Sequence, residues 1–212
     1  MLIFEAIESG DAQRVAQLVR EDPAVAGQRN AQGISALMVA VYGRQGEMVE
    51  TLVDALPDLD FHQAVALGDT ARVANHLEAG AGVDDFTPDG FAPIHLAAFL
   101  GHTGVAELLL GRGAVVDAVA TNGSALRPLN SAVAGGHAAI VDLLLARGAA
   151  VDSAQAGGFT ALMSAAAGGH RAIAEKLLAA GADPTVAADD GRTAADLARE
   201  RGHDDLAPLF ET

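Results

Sequence analysis

The chain has 212 residues, 50% hydrophobic and only 4% aromatic, with Lys+Arg 13 against Asp+Glu 28 and a formal net charge of −15. So apolar a chain is not a disordered acidic tail, and the absence of Cys excludes a disulfide framework, a thiolate nucleophile and any Cys-ligated metal centre. The acidity argues against nucleic acid and anionic lipid as partners, since both are held by Lys and Arg, and leaves a basic partner or plain solubility as what the charge serves.

The chain opens MLIFEAIESGDAQRV. No Lys or Arg comes early and the apolar run ends at Glu5, so no signal peptide is expected. Nor does any window reach the roughly 18 uncharged apolar residues of a membrane span. A cytoplasmic protein is the expectation. Lys176 is the only lysine, which with the high Ala and Gly content suggests a GC-rich genome.

Residues 1–58 read as an N-terminal cap and a first repeat. FEAIESGDAQRVAQLV is a capping helix pair turning at Ser9-Gly10-Asp11, and Gly33 opens a turn followed by a second helix pair. Gly68 comes only 24 residues after Arg44, so a turn segment is missing near 57–61. The chain passes through Pro57 into a helix at about Leu59. Residues 59–81 also resemble a cap. Two readings stand: a degenerate repeat inside one array of residues 1–212, which is preferred, or a junction between a short leading part and a longer array.

From Gly90 on, three markers recur together. Turn glycines stand at Gly90, Gly123, Gly158 and Gly191, with spacings of 33, 35 and 33. Gly-His pairs follow at 101, 136, 169 and 202, with spacings of 35, 33 and 33. Leucine runs come after the first three pairs. In residues 90–117, Gly90 permits a tight turn and Pro93 suits the first turn of a helix. Ile94, Leu96, Ala97 and Ala98 make a short first helix, and Gly101 ends it. Val105, Leu108 and Leu109 form the stripe of a second. Helices this short are unstable alone and persist only by stacking. The turn TNGSALRP (121–128) carries two extra residues, either a feature of a binding face or a silent insertion. Residues 185–212 are more charged and read as a C-terminal cap.

The stretches SALMVA (35–40), APIHLA (92–97), RPLNSA (127–132), TALMSA (160–165) and TAADLA (193–198) resemble the T-P-L-H-x-A signature of the ankyrin repeat. Only His95 keeps the signature histidine. The resemblance, to a bacterial-type member, implies an all-α solenoid. Stacked helix-turn-helix units with β-turn fingers would number about six to seven, caps included. Ser35, Thr160 and Thr193 can cap first helices; Ala92 and Arg127 cannot, which predicts two looser fingers.

No catalytic, cofactor or metal site is expected. His102, His137, His170 and His203 follow the repeat and read as structural, about 10 Å apart along a stack, too far to share a metal. His95 is expected to bond local backbone. Ser131 and Ser164 have no base placed by sequence, and the glycines follow the repeat rather than a phosphate loop. Asp84, Asp85, Asp89, Asp117, Asp152, Asp183, Asp189 and Asp190 form an acidic edge. Turn chemistry and solvation account for it; a basic partner along the fingers is the other reading. Asp117, Asp152 and Asp183 are assigned to one repeat position.

The resemblance further implies that a partner protein meets finger tips and the exposed side of the first helices. Carried to this sequence, the tips are Thr87, Asp89 and Phe91; Asn122, Ser124, Leu126 and Arg127; Phe159; and Asp190 and Arg192. The helix positions are Tyr42, Phe99, Leu100, Arg199 and Arg201. Phe91 and Phe99 are the expected anchors, since aromatics carry much of interface affinity. Bracing of neighbouring fingers is the other reading of the phenylalanines. The function expected is a non-catalytic, monomeric protein-binding module with no cofactor: an adaptor, an inhibitor or immunity-type protein, or an enzyme-stabilising accessory. The alternative is a small-ligand- or metal-responsive regulator with a pocket in the groove or at 57–61.

Overall fold

A computed structural model describes residues 2–211. It divides into two compact units, one of residues 1–81 with 87–89, the other of residues 82–86 with 90–212.

In the first unit the helices are α1 (Leu2–Glu8), α2 (Ala12–Glu21), α3 (Ala36–Tyr42), α4 (Gly46–Ala55), α5 (Phe61–Ala66) and α6 (Thr70–Glu78). They form three antiparallel pairs, and the first helices α1, α3 and α5 stack on one another. Ile3, Ile7, Leu37 and Leu52 are fully buried among them. The finger before α3 closes by an isolated bridge between Arg29 and Ser35, and Ser35 Oγ accepts the Met38 N–H at 3.3 Å. No finger stands between α4 and α5. Only residues 56–60 join them, and α5 begins at Phe61 rather than at about Leu59. Asp60 and Gln63 set that start. The Asp60 carboxylate accepts the Gln63 N–H and the Gln63 side chain accepts the Asp60 N–H, each at 2.9 Å, a reciprocal cap.

In the second unit the helices are α7 (Pro93–Leu100), α8 (Thr103–Gly111), α9 (Pro128–Gly135), α10 (Ala138–Ala146), α11 (Ala161–Ala167), α12 (Arg171–Ala179) and α13 (Ala194–Glu200). First helices α7, α9, α11 and α13 stack in series, as do second helices α8, α10 and α12. Ala97, Ala132, Ala165 and Ala198 are wholly buried between the first helices; side chains this small let helix axes approach. Ile94, Leu109, Ile140, Leu144, Leu162 and Leu177 fill the rest of the core. A 3₁₀ turn, Ala207–Phe210, closes the stack on α13. No extended strand occurs among the described residues. The expected helix-pair architecture is therefore present in both units: six pairs and a closing half.

The pairs of the second unit are stapled along three lines. The imidazoles of His137, His170 and His203 each pack on the glycine of the preceding Gly-His pair. A Cβ at Gly101 would lie 2.5 Å from the His137 ring, and one at Gly169 would lie 2.6 Å from that of His203. His137 Nε2 also donates to the Phe99 carbonyl at 3.0 Å. Finger backbones bond in turn: Thr121 N–H to Gly90 C=O, Ala156 to Ser124 and Asp189 to Gly157, at 2.9, 2.8 and 3.0 Å. The third line is acidic. Asp84 accepts the Val115 N–H at 3.1 Å, Asp117 that of Ala150 at 3.1 Å, and Asp152 that of Asp183 at 3.1 Å.

This third line changes two expectations. The aspartates join successive pairs, so their chemistry is more than local turn formation. Asp183 does not share the position of Asp117 and Asp152; its own backbone N–H is the donor. His95 does more than expected. Beside the local backbone of Ala92, it also bonds the next finger, where its Nε2 meets the Leu126 carbonyl, 31 residues away, at 3.1 Å.

Candidate functional site

Two places hold the residues singled out by sequence. The first is the finger and first-helix side of the second unit. Phe91, just ahead of α7, is half-buried, its ring 6.0 Å from that of His95. Phe99 and Leu100 end α7 and are half-exposed; the Phe99 carbonyl is held by His137. Asn122 sits at an exposed tip, its Oδ1 accepting the Ser124 N–H at 3.1 Å and the Ser124 hydroxyl at 2.6 Å. The two extra residues are absorbed here by a left-handed turn at Ala125, φ 53°. The Leu126 carbonyl accepts from Ala120 N–H as well as from His95.

Arg127 gives its α9 no side-chain oxygen to cap with. Instead Asn130 Oδ1 accepts the Arg127 N–H at 3.3 Å, and the Arg127 guanidinium donates to the Asp117 carbonyl at 3.0 Å. The finger is thus tied by contacts other than a helix cap. Further along, the Arg192 guanidinium lies 5.5 Å from the Phe159 ring centroid and pairs with Asp190 at 2.7 Å and Glu200 at 2.9 Å. The Asp190 hydrogen bonds raise the Arg192 pKa further, and the same bonds lower that of Asp190. Phe159, Asp190 and Arg192 are therefore brought together, and they brace adjoining fingers.

Burial lowers the His95 pKa. Because its Nε2 faces a carbonyl, Nε2 carries the proton in the neutral ring. Nδ1 is buried with no well-aligned partner.

The second place lies within the first unit. Tyr42, at the end of α3, and Asp89, in the segment 87–89, line one pocket of about 260 Å³ together with Arg29, Ile34, Ser35, Met38, Asp60, His62, Thr87 and Pro88. Its origin is the missing finger. With no turn between α4 and α5, the finger at 29–35 faces the segment 87–89 directly, and a Cβ at Gly33 would lie 3.3 Å from Pro88. Arg29 is fixed on this wall by Asp60 at 2.7 Å and by the Gly33 carbonyl at 2.9 Å. The Tyr42 hydroxyl is shielded from solvent, with the Asp89 carboxylate as its side-chain hydrogen-bond partner. Burial first, then the charge and the hydrogen bond of Asp89, push its pKa well above the tyrosine range. A larger hollow of about 560 Å³ runs along α2, lined by exposed polar side chains such as Gln13, Gln17, Arg20 and Glu47. It lacks enclosure and convergent groups.

Sequence reasoning found Tyr42 and Asp89 as separate surface positions, His62 as a lone surface histidine and Met38 as a signature position, and missed Arg29 and Asp60 and the joining of all six. The shortened 44–68 spacing was the signal that could have joined them. Among the described residues no His, Asp and Glu cluster could hold a metal ion. No helix among them is long and apolar enough to cross a membrane.

Comparison with known proteins agrees with the repeated helix pairs. The family model described as ankyrin repeats (3 copies) matches residues 61–154 and again 129–210. No curated protein matches the chain. Ankyrin repeats are in general protein–protein interaction modules, typically without catalysis. Together the two matches span well over half of the 212 residues, and the chain belongs to the ankyrin-repeat family.

Proposed function

We propose that this chain is a non-catalytic binding module for another protein, met through finger tips and first-helix ends. The observation that carries the reading is the half-exposed set Phe91, Phe99 and Leu100 on α7 and its finger. Aromatic side chains at an interface centre are common energetic anchors, and the stack spends these three only in part. Asn122, Ser124, Leu126, Arg127, Phe159, Asp190 and Arg192 would supply the surrounding contacts. The partner is basic in this reading, because a net charge of −15 speeds encounter with a positive surface. The acidic line of Asp84, Asp117 and Asp152 is occupied within the stack, so the attraction is of the whole chain rather than of that line. The module acts as a cytoplasmic monomer, in the role of adaptor, inhibitor or accessory.

The test is capture from lysate of the source cells, reconstitution of the stoichiometric complex from purified proteins, and calorimetry on it. Phe91→Ala with Phe99→Ala is expected to weaken binding by at least about 30-fold, since an anchor is worth roughly 2 kcal/mol. Unchanged affinity in the double variant would remove the α7 surface from the interface. A second reading, a small-ligand-responsive regulator, is favoured by one observation, the pocket at Tyr42. A ligand that binds only the folded chain would raise Tm.

A further inference from the structure

The Tyr42 pocket has a chemistry of its own. At about 260 Å³ it falls below the roughly 300–1,000 Å³ of sites for drug-sized molecules. That excludes a dinucleotide or a haem and suits one long side chain. Ile34, Met38 and Pro88 offer apolar wall for a methylene stem. Charged groups in the lining are two carboxylates, Asp60 and Asp89, against one guanidinium, Arg29. Arg29 and Asp60 are paired with each other, and Arg29 also with a backbone carbonyl, so the charge the pocket presents beyond that pair is the negative charge of Asp89. The shielded Tyr42 hydroxyl has the Asp89 carboxylate as its side-chain hydrogen-bond partner, which leaves the hydroxyl oxygen able to accept. A donor-rich cation entering the pocket would meet both that oxygen and the carboxylate, and the Tyr42 ring adds a cation–π face.

We propose that this pocket receives the cationic side chain of an Arg or Lys borne on a segment of the partner protein. The proposal deepens the protein-binding reading and rests on it for the source of the cation. The pocket is lined by residues on either side of the missing finger, from 29–42 and 87–89. A guanidinium or ammonium on a three- or four-carbon stem would reach Tyr42 and Asp89 while the stem lies on Met38 and Pro88. Arg29 and Asp60 would act as a fixed wall, their mutual pair holding the finger in place.

The experiment uses the full chain, 15N-labelled, titrated with the blocked tripeptides Gly-Arg-Gly and Gly-Lys-Gly. The isosteric Gly-citrulline-Gly, which lacks the charge, and free agmatine are run beside them. Shifts are expected at Ile34, Met38 and Tyr42, with at least tenfold weaker binding for the citrulline peptide. Asp89→Asn should weaken the cationic peptides to the same degree while leaving the citrulline peptide unaffected, and Tyr42→Phe should weaken them less. Equal binding of the citrulline peptide, indifference to Asp89→Asn, or shifts mapping elsewhere would overturn the site. So would no response to either cation at millimolar concentration. Agmatine binding as tightly as the Arg tripeptide would assign the pocket to a small free cation and overturn the partner side chain as its source. These readouts are independent of the Phe91 and Phe99 variants. Loss of partner capture in that pair alone would leave the pocket standing, and failure of the peptides would leave the α7 surface standing.

Discussion

The two units begin their second helices in different ways. In the first, Asp11 and Asp69 precede α2 and α6, and each carboxylate accepts an N–H of its own helix, from Arg14 and Arg72, at 2.9 Å. That is a local cap. In the second unit His102, His137 and His170 precede α8, α10 and α12 and give no side-chain cap. The imidazole of His137 reaches back to Phe99 and lies on Gly101. Local caps stabilise a helix wherever it stands; the reaching histidines stabilise only a stack. Gln45 falls between the two. It sits in the first unit, caps nothing, and donates Nε2 to the Ile7 carbonyl at 2.7 Å, across a chain separation equal to that of His137 and Phe99. The requirement at this place is therefore an N–H donor of about that reach, which an amide meets as well as an imidazole.

Breaking the glycine under an imidazole should have the largest effect. Gly101 holds φ 86°, where a side chain is strained, and an added Cβ would meet the His137 ring at 2.5 Å. Gly101→Ala is expected to lower stability by about 2–4 kcal/mol, read as a fall in the urea midpoint. The equivalent place in the first unit already carries a side chain, Arg44 at φ 54°.

His137→Ala should come next, at about 1–2 kcal/mol, because the Phe99 carbonyl loses its donor. His137→Gln separates the two roles of that ring. If Gln45 is a true counterpart, the glutamine variant recovers at least half of the loss; recovery of none would mean that the ring's packing on Gly101 matters and the bond does not.

Acid sharpens the comparison further. His95 lies in the second unit, and Met38 holds its place in the first. With its folded pKa held down by burial, His95 stays neutral in the folded chain while the unfolded chain takes up a proton below about pH 6.5. Its contribution is thus fully present above that pH and is lost as pH falls toward the folded pKa. Tm is expected to drop between pH 7.5 and 5.5, and His95→Met to flatten that drop. An unchanged slope in the variant would assign the response to other groups.

The smallest effect is expected at Arg44. Arg44→Gly relieves a left-handed residue and should raise stability by up to about 1 kcal/mol, roughly 2–4 °C in Tm for a chain of this size. A loss instead would mean that the interactions of the Arg44 side chain outweigh its backbone strain.

The helix pairs were legible in the sequence because their causes are close together along the chain. Turn glycines, Pro93 and Pro128 at helix starts, and the hydroxyls of Ser35, Thr160 and Thr193 each act within about one turn. All three hydroxyls cap as expected. The missing finger was legible too, as a spacing. What the spacing could not reveal was its consequence. The pocket is made by Arg29, Tyr42, Asp60 and Asp89, which lie on four separate segments, and no local propensity links them. Asp117 shows the same limit from the other side. Its residue type suits a turn, so sequence assigned it to turn and solvent, yet its carboxylate bonds Ala150, 33 residues on. Asp183 looked like its repeat and is not, because turn residues of one type recur at more than one place in a finger. Periodicity and short-range caps determined the repeats, the helix pairs and their number. The neighbour that each polar side chain reaches was decided by the stacking of pairs 31 to 38 residues apart, which no single repeat contains.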